Sequence, residues 1–338
     1  MTDQDTILRI LRPLVEIDST NPPRNTAAVV ARLAAILREG GLVVGHVDFG
    51  DGCHNVLAIR GRARTLLTAH VDTVPVAPGW TRDPFALSVE GDRAYGLGAC
   101  DVKGGAAAMI AAAFATKAPC ALLFTTDEEA GNATCMRRFI ETKPPYELAV
   151  VAEPTRAKAV VSHRGIASGS LRFEGRAGHA SLKNARSAVH ALIDWADGAL
   201  DMADELGDIR FNIGRIEGGE KPNMIASRAE ARFGVRPPPE MDPRGTLRRL
   251  AALSGTATFE ERFVAPPLLP LAENEAKRLD LPVGEPVDFW TEAALLSEAK
   301  IPSIVLGPGD IAQAHAPDEW VLLSDLEDAA KHYVRVIG

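Results

Sequence analysis

Four short runs, Val56 to Ile59, Thr65 to Ala69, Ala121 to Thr125 and Leu148 to Ala152, are nearly continuous in apolar character instead of alternating with polar residues. A strand with water on one face alternates; one buried on both faces does not, and such strands belong inside a mostly parallel sheet covered by helices. Segments of helical period stand between them. Ile7, Leu8, Leu11, Leu14 and Val15 share one face, Ala28 to Leu37 repeats that spacing after Asn21-Pro22-Pro23, and an alanine-rich stretch follows Gly104-Gly105. The expectation is an α/β fold built on a mostly parallel sheet flanked by helices.

The texture changes near Ser162. A long alternating stretch reaches Phe173, a helix is expected from about Ser187 to Leu206, strands near Phe211 to Ile216 and Ala226 to Val235, and a helix from Arg244 to Leu253 after Pro237-Pro238-Pro239. α/β texture resumes after Pro266-Pro267. An α+β insertion over 165–266, interrupting an α/β domain formed by 1–164 and 267–338, accounts for this order, and a chain of 338 residues is long enough for two domains.

Composition narrows the function classes. Asp and Glu number 45 against 37 Lys and Arg, and the net charge of −8 disfavours a phosphate-backbone binder, so no nucleic acid partner is expected. The longest aliphatic stretch, Ala106 to Ala115, is half of the roughly 20 residues that a membrane-spanning helix needs, so no membrane partner is expected. Asp3 and Asp5 beside scattered basic residues do not form a signal peptide, and a cytoplasmic location follows as the default. Cys53, Cys100, Cys120 and Cys135 form no CxxC pair and read as reduced thiols.

The chemistry lies at the strand ends. Thr65 to Ala69 runs into His70-Val71-Asp72, and the alternation of strand side chains puts His70 and Asp72 on one face. One can hold a metal while the other orients its imidazole, or the two can form a structural hydrogen-bonded pair. Tyr95-Gly96-Leu97-Gly98-Ala99-Cys100-Asp101 imitates a dinucleotide fingerprint, but Asp101 stands where the third glycine belongs and would repel a pyrophosphate. Asp101 also precedes a helix, where an Asp is commonly a cap. Ala121 to Thr125 leads to Asp127-Glu128-Glu129, three carboxylates that repel one another unless solvated or gathered around a cation. Leu148 to Ala152 leads to Glu153, and Ser303 to Leu306 leads through Gly307-Pro308-Gly309 to His315. Open α/β sheets bind ligands at the carboxyl ends of their strands, and two His with several carboxylates suit Zn²⁺, Co²⁺ or Mn²⁺.

With these motifs assembled, the chain resembles the M20 family of dinuclear zinc peptidases and deacylases over nearly its whole length. The resemblance implies a zinc-peptidase-like sheet with an inserted lid domain through which subunits dimerise. It implies two divalent ions, Zn²⁺ or Co²⁺: His70 and Glu153 on one, Glu129 and His315 on the other, and Asp101 bridging both. It further implies that Asp72 orients His70, that Glu128 is the general base, and that the peptide after Asp101 is cis. In the insert, Gly175-Arg176-Ala177-Gly178-His179-Ala180-Ser181 is similar to the family's lid motif, whose His donates to the oxyanion in the partner's active site; by residue type alone His179 could cap the following helix. Asn223, after Gly218-Gly219, and Arg236 correspond to residues that grip the substrate carboxylate.

Within the family, Gln313 to Glu319 and Thr291-Glu292-Ala293 are similar to acetylornithine deacetylases, and Arg210 to Arg215 with the short length to N-acetylcitrulline deacetylases. The implied reaction removes an acetyl group from a small N-acyl amino acid of arginine biosynthesis. A succinyl-diaminopimelate desuccinylase, carboxypeptidase or dipeptidase is the alternative inside the family. Outside it, a sugar or nucleotide binder has no need of a general base at Glu128, and a serine hydrolase lacks its G-x-S-x-G elbow.

Overall fold

A computed structural model of the chain describes residues 3–131, 133–183 and 185–338. The chain divides into two compact units, one of 1–161, 270–286 and 291–338, the other of 162–269 and 287–290.

In the first unit the described residues form a six-stranded sheet in the order Val43–Asp48, His54–Arg60, Cys120–Thr125, Thr65–His70, Leu148–Val151, Ser303–Val305. The last four are mutually parallel, and His54–Arg60 runs antiparallel to both of its neighbours. The central strands are buried on both faces. Leu67, Leu122 and Val150 join a core with the helices Gln4–Val15, Ala27–Glu39, Lys103–Ala115 and Leu323–Ile337. Leu66 and Leu123, equally buried, point the other way, as alternation requires.

The Lys103–Ala115 helix is buried over eleven of its residues, so it carries no amphipathic stripe. Its small side chains permit close packing. A Cβ on Gly105 would lie 2.8 Å from the Ala152 Cβ, and one on Gly104 would lie 2.2 Å from the Ala99 carbonyl oxygen. This tight seat brings the start of the helix, just after Asp101, against the end of the strand that precedes Glu153.

Some elements of this unit have no counterpart in the sequence reading, among them an edge strand and a small sheet. The Val43–Asp48 edge strand is exposed at five of six positions, so burial never imposed a pattern on it. The three-stranded sheet of Ser88–Glu90, Arg93–Tyr95 and Trp320–Leu322 consists of strands too short to show a period.

The second unit is a four-stranded antiparallel sheet in the order Arg210–Gly218, Arg228–Arg236, Ile166–Glu174, Thr258–Ala265. The helices Ala188–Leu206 and Pro243–Ala252 pack against it through a core of Trp195, Phe173, Phe233, Leu192, Leu247 and Leu250. Trp195 donates its Nε1–H to the Leu250 carbonyl at 3.0 Å, so the largest core side chain also satisfies its polar atom.

The boundaries differ from those expected. Residues 162–164, 267–269 and 287–290 lie with the insert, not with the α/β part. Arg164 is held by the carboxylates of Asp208 and Asp288, and the Trp290 Nε1–H donates to the Pro266 carbonyl at 3.0 Å while its ring meets Phe263 edge-on. A four-residue return is invisible in sequence because it has no period.

Candidate metal and catalytic site

Every ionisable strand-end residue expected at the site belongs to the first unit, and the fold brings them together. His70 ends its strand 2% exposed, with Nδ1 facing the Asp72 carbonyl at 3.1 Å and an Asp72 carboxylate oxygen at 3.5 Å. Its Nε2 therefore points away, to Asp101 Oδ1 at 3.2 Å and Glu153 Oε1 at 3.9 Å. The other Asp101 oxygen, Oδ2, lies 3.3 Å from His315 Nε2, which is 3.2 Å from Glu129 Oε1. One carboxylate thus presents one oxygen to each imidazole.

Asp101 is not a helix cap: the Lys103–Ala115 helix has no side-chain cap bond, and Asp101 faces the two imidazoles. The peptide that follows it, Asp101–Val102, is cis. The acidic run is not a solvated loop either. Asp127 is fully buried and accepts from the Cys135 N–H at 3.1 Å, fixing the start of the Thr134–Glu141 helix. Glu128 and Glu129 are partly buried, and only Glu129 meets an imidazole nitrogen within hydrogen-bond distance. Three adjacent carboxylates have three different environments.

The donor set fits divalent ions. His70, Asp101 and Glu153 offer three ligand atoms within 4.8 Å of one another, Asp101, Glu129 and His315 offer three more, and the groups share Asp101. Imidazole nitrogen with carboxylate oxygen is the chemistry of borderline to hard cations. Four carboxylates against two imidazoles leave an excess of negative charge in a buried space, which requires protons or cations. Burial, with the charge of Asp101, holds Glu153 well above the usual carboxylate range, and burial does the same for Glu128. His315 is pushed up to about 10 by its hydrogen bonds to Asp101 and Glu129. These three shifts remove negative charge, whereas Asp101, despite its burial, is held below the usual carboxylate range by its hydrogen bonds to His315 and His70.

A third cluster, Cys53, Asp127 and Cys135, is different. Burial and the Asp127 charge push the Cys53 thiol up to about 11, and its Sγ–H lies 3.6 Å from the carboxylate it faces. These are thiols supporting Asp127. All four cysteines are free and buried.

Several supporting residues had no assigned role in the sequence reading. Glu319, 1% exposed, accepts from the backbone N–H groups of Gly98, Cys100 and Asp101 at 3.1, 2.8 and 3.0 Å, so one buried carboxylate shapes the turn that delivers Asp101. Lys103 donates its ammonium to the Ile17 carbonyl at 3.1 Å and is pushed down to about 8 by burial. Glu292, pushed up to about 8 by burial, accepts from the Thr125 hydroxyl at 3.1 Å at the end of the strand that leads to Glu128. A Glu four residues after His315 was visible in the sequence, but its partners lie over 200 residues upstream.

The expected substrate residues lie in the second unit. His179 is exposed in a two-residue strand opposite Met224, and its Nδ1 bonds the Ser181 hydroxyl at 2.8 Å. It caps no helix: Ser187 caps the Ala188–Leu206 helix. Asn223 is adjacent, its carbonyl accepting from the Ala180 N–H at 3.1 Å. Arg236 is not adjacent. It ends the strand that begins at Arg228, a length of about 26 Å at roughly 3.3 Å per residue, whereas Asn223 lies shortly before the start. It lines a cavity of about 340 Å³ with Ser168, Arg210, Asn212 and Gly234. Within one protomer Asn223 and Arg236 therefore lie apart.

Comparison with known proteins agrees with this picture. The family model described as peptidase family M20/M25/M40 matches residues 66–338. An N-acetyl-L-citrulline deacetylase from Xanthomonas campestris pv. campestris is 44% identical, covering 98% of this chain and 97% of that protein. Among solved structures, an aminopeptidase from Bacillus cereus superposes with a TM-score of 0.82 at 18% identity, covering 99% of this chain and 98% of the other. A dinuclear metal binding peptidase of the M20 family from Bacillus subtilis gives 0.72 at 17%, covering 99% and 97%.

Proposed function

The chain belongs to peptidase family M20/M25/M40, and from that premise we propose that it is a metal-dependent amidohydrolase that removes the acetyl group from N-acetyl-L-citrulline or N-acetyl-L-ornithine. The products are acetate and the free amino acid, a step of arginine biosynthesis, and the reading takes the enzyme to be cytoplasmic. The observation that carries the chemistry is Asp101, with one oxygen toward His70 and the other toward His315, and Glu128 beside them within 4.8 Å of His70 and Glu129. The 44% identical deacetylase supports the substrate class.

His70 and Glu153 would hold one divalent ion, Glu129 and His315 a second, with Asp101 shared; Zn²⁺ or Co²⁺ suits these donors. When bound, such ions polarise the amide carbonyl and acidify water. The remaining work belongs to the chain. Glu128, held high by burial, is suited to accept a proton from the attacking water at its carboxylate and return it to the leaving nitrogen. Asp72 fixes the His70 ring through Nδ1, keeping Nε2 toward the site.

His179 of the partner subunit supplies the hydrogen-bond donor for the oxyanion in a homodimer formed through the lid. The separation of Asn223, which precedes the Arg228–Arg236 strand, from Arg236 at its end supports a dimer as well, since residues so far apart would meet a single carboxylate from different chains.

The test is a panel of acetyl-citrulline, acetyl-ornithine, succinyl-diaminopimelate and a dipeptide, followed by release of primary amine with added Zn²⁺ or Co²⁺. Turnover of one of the two acetyl substrates, lost on chelation and regained on adding metal, is expected. Full activity in rigorously metal-free protein, or turnover of the dipeptide alone, overturns the reading.

A further inference from the structure

Residues 19–21 run beside 71–73, where the chain has just left the strand ending at His70. The Asn21 N–H donates to the Thr73 carbonyl at 2.8 Å, the Thr73 N–H to the Ser19 carbonyl at 3.1 Å, and the Ser19 hydroxyl to the Val71 carbonyl at 2.8 Å. These bonds hold the Asn21 side chain in a fully buried position, where its amide nitrogen donates twice. One bond goes to Asp72 Oδ2 at 3.1 Å and the other to the Thr126 carbonyl at 3.0 Å. An amide has two N–H groups, and both are engaged.

The two acceptors lie at the exits of two neighbouring parallel strands. Asp72 lies two residues beyond His70, and Thr126 two residues before Glu128. Asp72 is itself fully buried, and its Oδ2 has one further donor, the Glu129 N–H at 3.2 Å. With Oδ2 held from this side, Oδ1 faces His70 Nδ1 at 3.5 Å, beside the Asp72 carbonyl at 3.1 Å.

We propose that Asn21 is a positioning residue of the metal site. It sets the direction of the Asp72 carboxylate, and through it the His70 ring, while tying that exit to the peptide that leads to Glu128. The inference rests on the reading of His70 as a metal ligand. Residues that orient a ligating His typically change metal affinity or activity by about 10–100-fold when removed. A residue that only filled space would not.

Asn55 provides the comparison for that distinction. It is 5% exposed, and its amide donates to the Cys135 carbonyl at 2.8 Å, anchoring the helix that follows the acidic loop without a hydrogen bond to Asp72. The experiment measures Zn²⁺ affinity by competition with a chromophoric chelator, and the Tm of the metal-free protein, for wild type, Asn21→Ala and Asn55→Ala. Asn21→Ala should weaken Zn²⁺ binding about 10–100-fold, while Asn55→Ala lowers Tm and leaves the affinity within about twofold. Asn21→Asp, measured at pH 8, keeps the shape and turns the donor into an acceptor; it should weaken Zn²⁺ binding as well and decides the matter if Asn21→Ala does not fold.

Wild-type affinity in a folded Asn21 variant, or an equal loss in Asn55→Ala, overturns the proposal. The measurement uses no substrate, so failure of the proposed substrate class leaves it intact. A wild-type protein that binds no Zn²⁺ overturns the metal reading and this inference together.

Discussion

His70 and His179 stand in opposite physical situations. His70 is 2% exposed among Asp72, Asp101 and Glu153 in the first unit; His179 is exposed on a two-residue strand of the second, with Ser181 as its neighbour. A buried cluster of this kind is unstable without compensation, so its existence is already a statement about protons or cations. An exposed histidine costs little to keep, and its surroundings within one chain say little about its task. The first region accounts for its charges within the protomer, whereas the role proposed for His179 requires a second subunit.

The sharpest way to break this comparison is inside the first region. Glu128→Gln keeps the shape and removes the proton acceptor, so kcat should fall by about 10² or more with metal content unchanged. A comparable loss of metal would show that Glu128, not Glu129, is the ligand.

Removing the donor in the second region comes next. His179→Ala should lower kcat by about 10², some 3 kcal/mol of transition-state stabilisation, with metal and dimer retained. Mixing it with Glu128→Gln sharpens the contrast, because a heterodimer of the two should regain one intact site. Heterodimers that form yet remain inactive end the in-trans role.

The smallest effect is expected at Arg236, which ends a different strand of the same unit. Arg236→Ala should raise KM about tenfold or more for acetyl amino acids and matter much less for a substrate with an amidated carboxylate. Equal effects on the two substrates would refute a carboxylate contact.

Much of this was legible in the sequence, for identifiable reasons. His70 and Asp72 could be placed on one face because strand alternation is geometric, and the four parallel strands could be read because burial on both faces removes polar residues. The Val43–Asp48 strand could not, since an exposed edge imposes no pattern. Asp127 could not be separated from Glu128 and Glu129 either. Three carboxylates in a row look alike until one is seen to accept from the start of a helix.

The order of apolar strands and helices, the ionisable residue at each strand exit and the insertion between them could be read from the amino-acid order. These are local properties, set by side-chain period and by the residues next to it in the chain. Folding alone sets which oxygen of Asp101 faces which imidazole, brings Glu319 to the turn before Asp101 and Asn21 to Asp72 across 51 positions, and keeps Asn223 and Arg236 apart. Those facts depend on the path of the chain between distant segments, where sequence separation no longer reports distance.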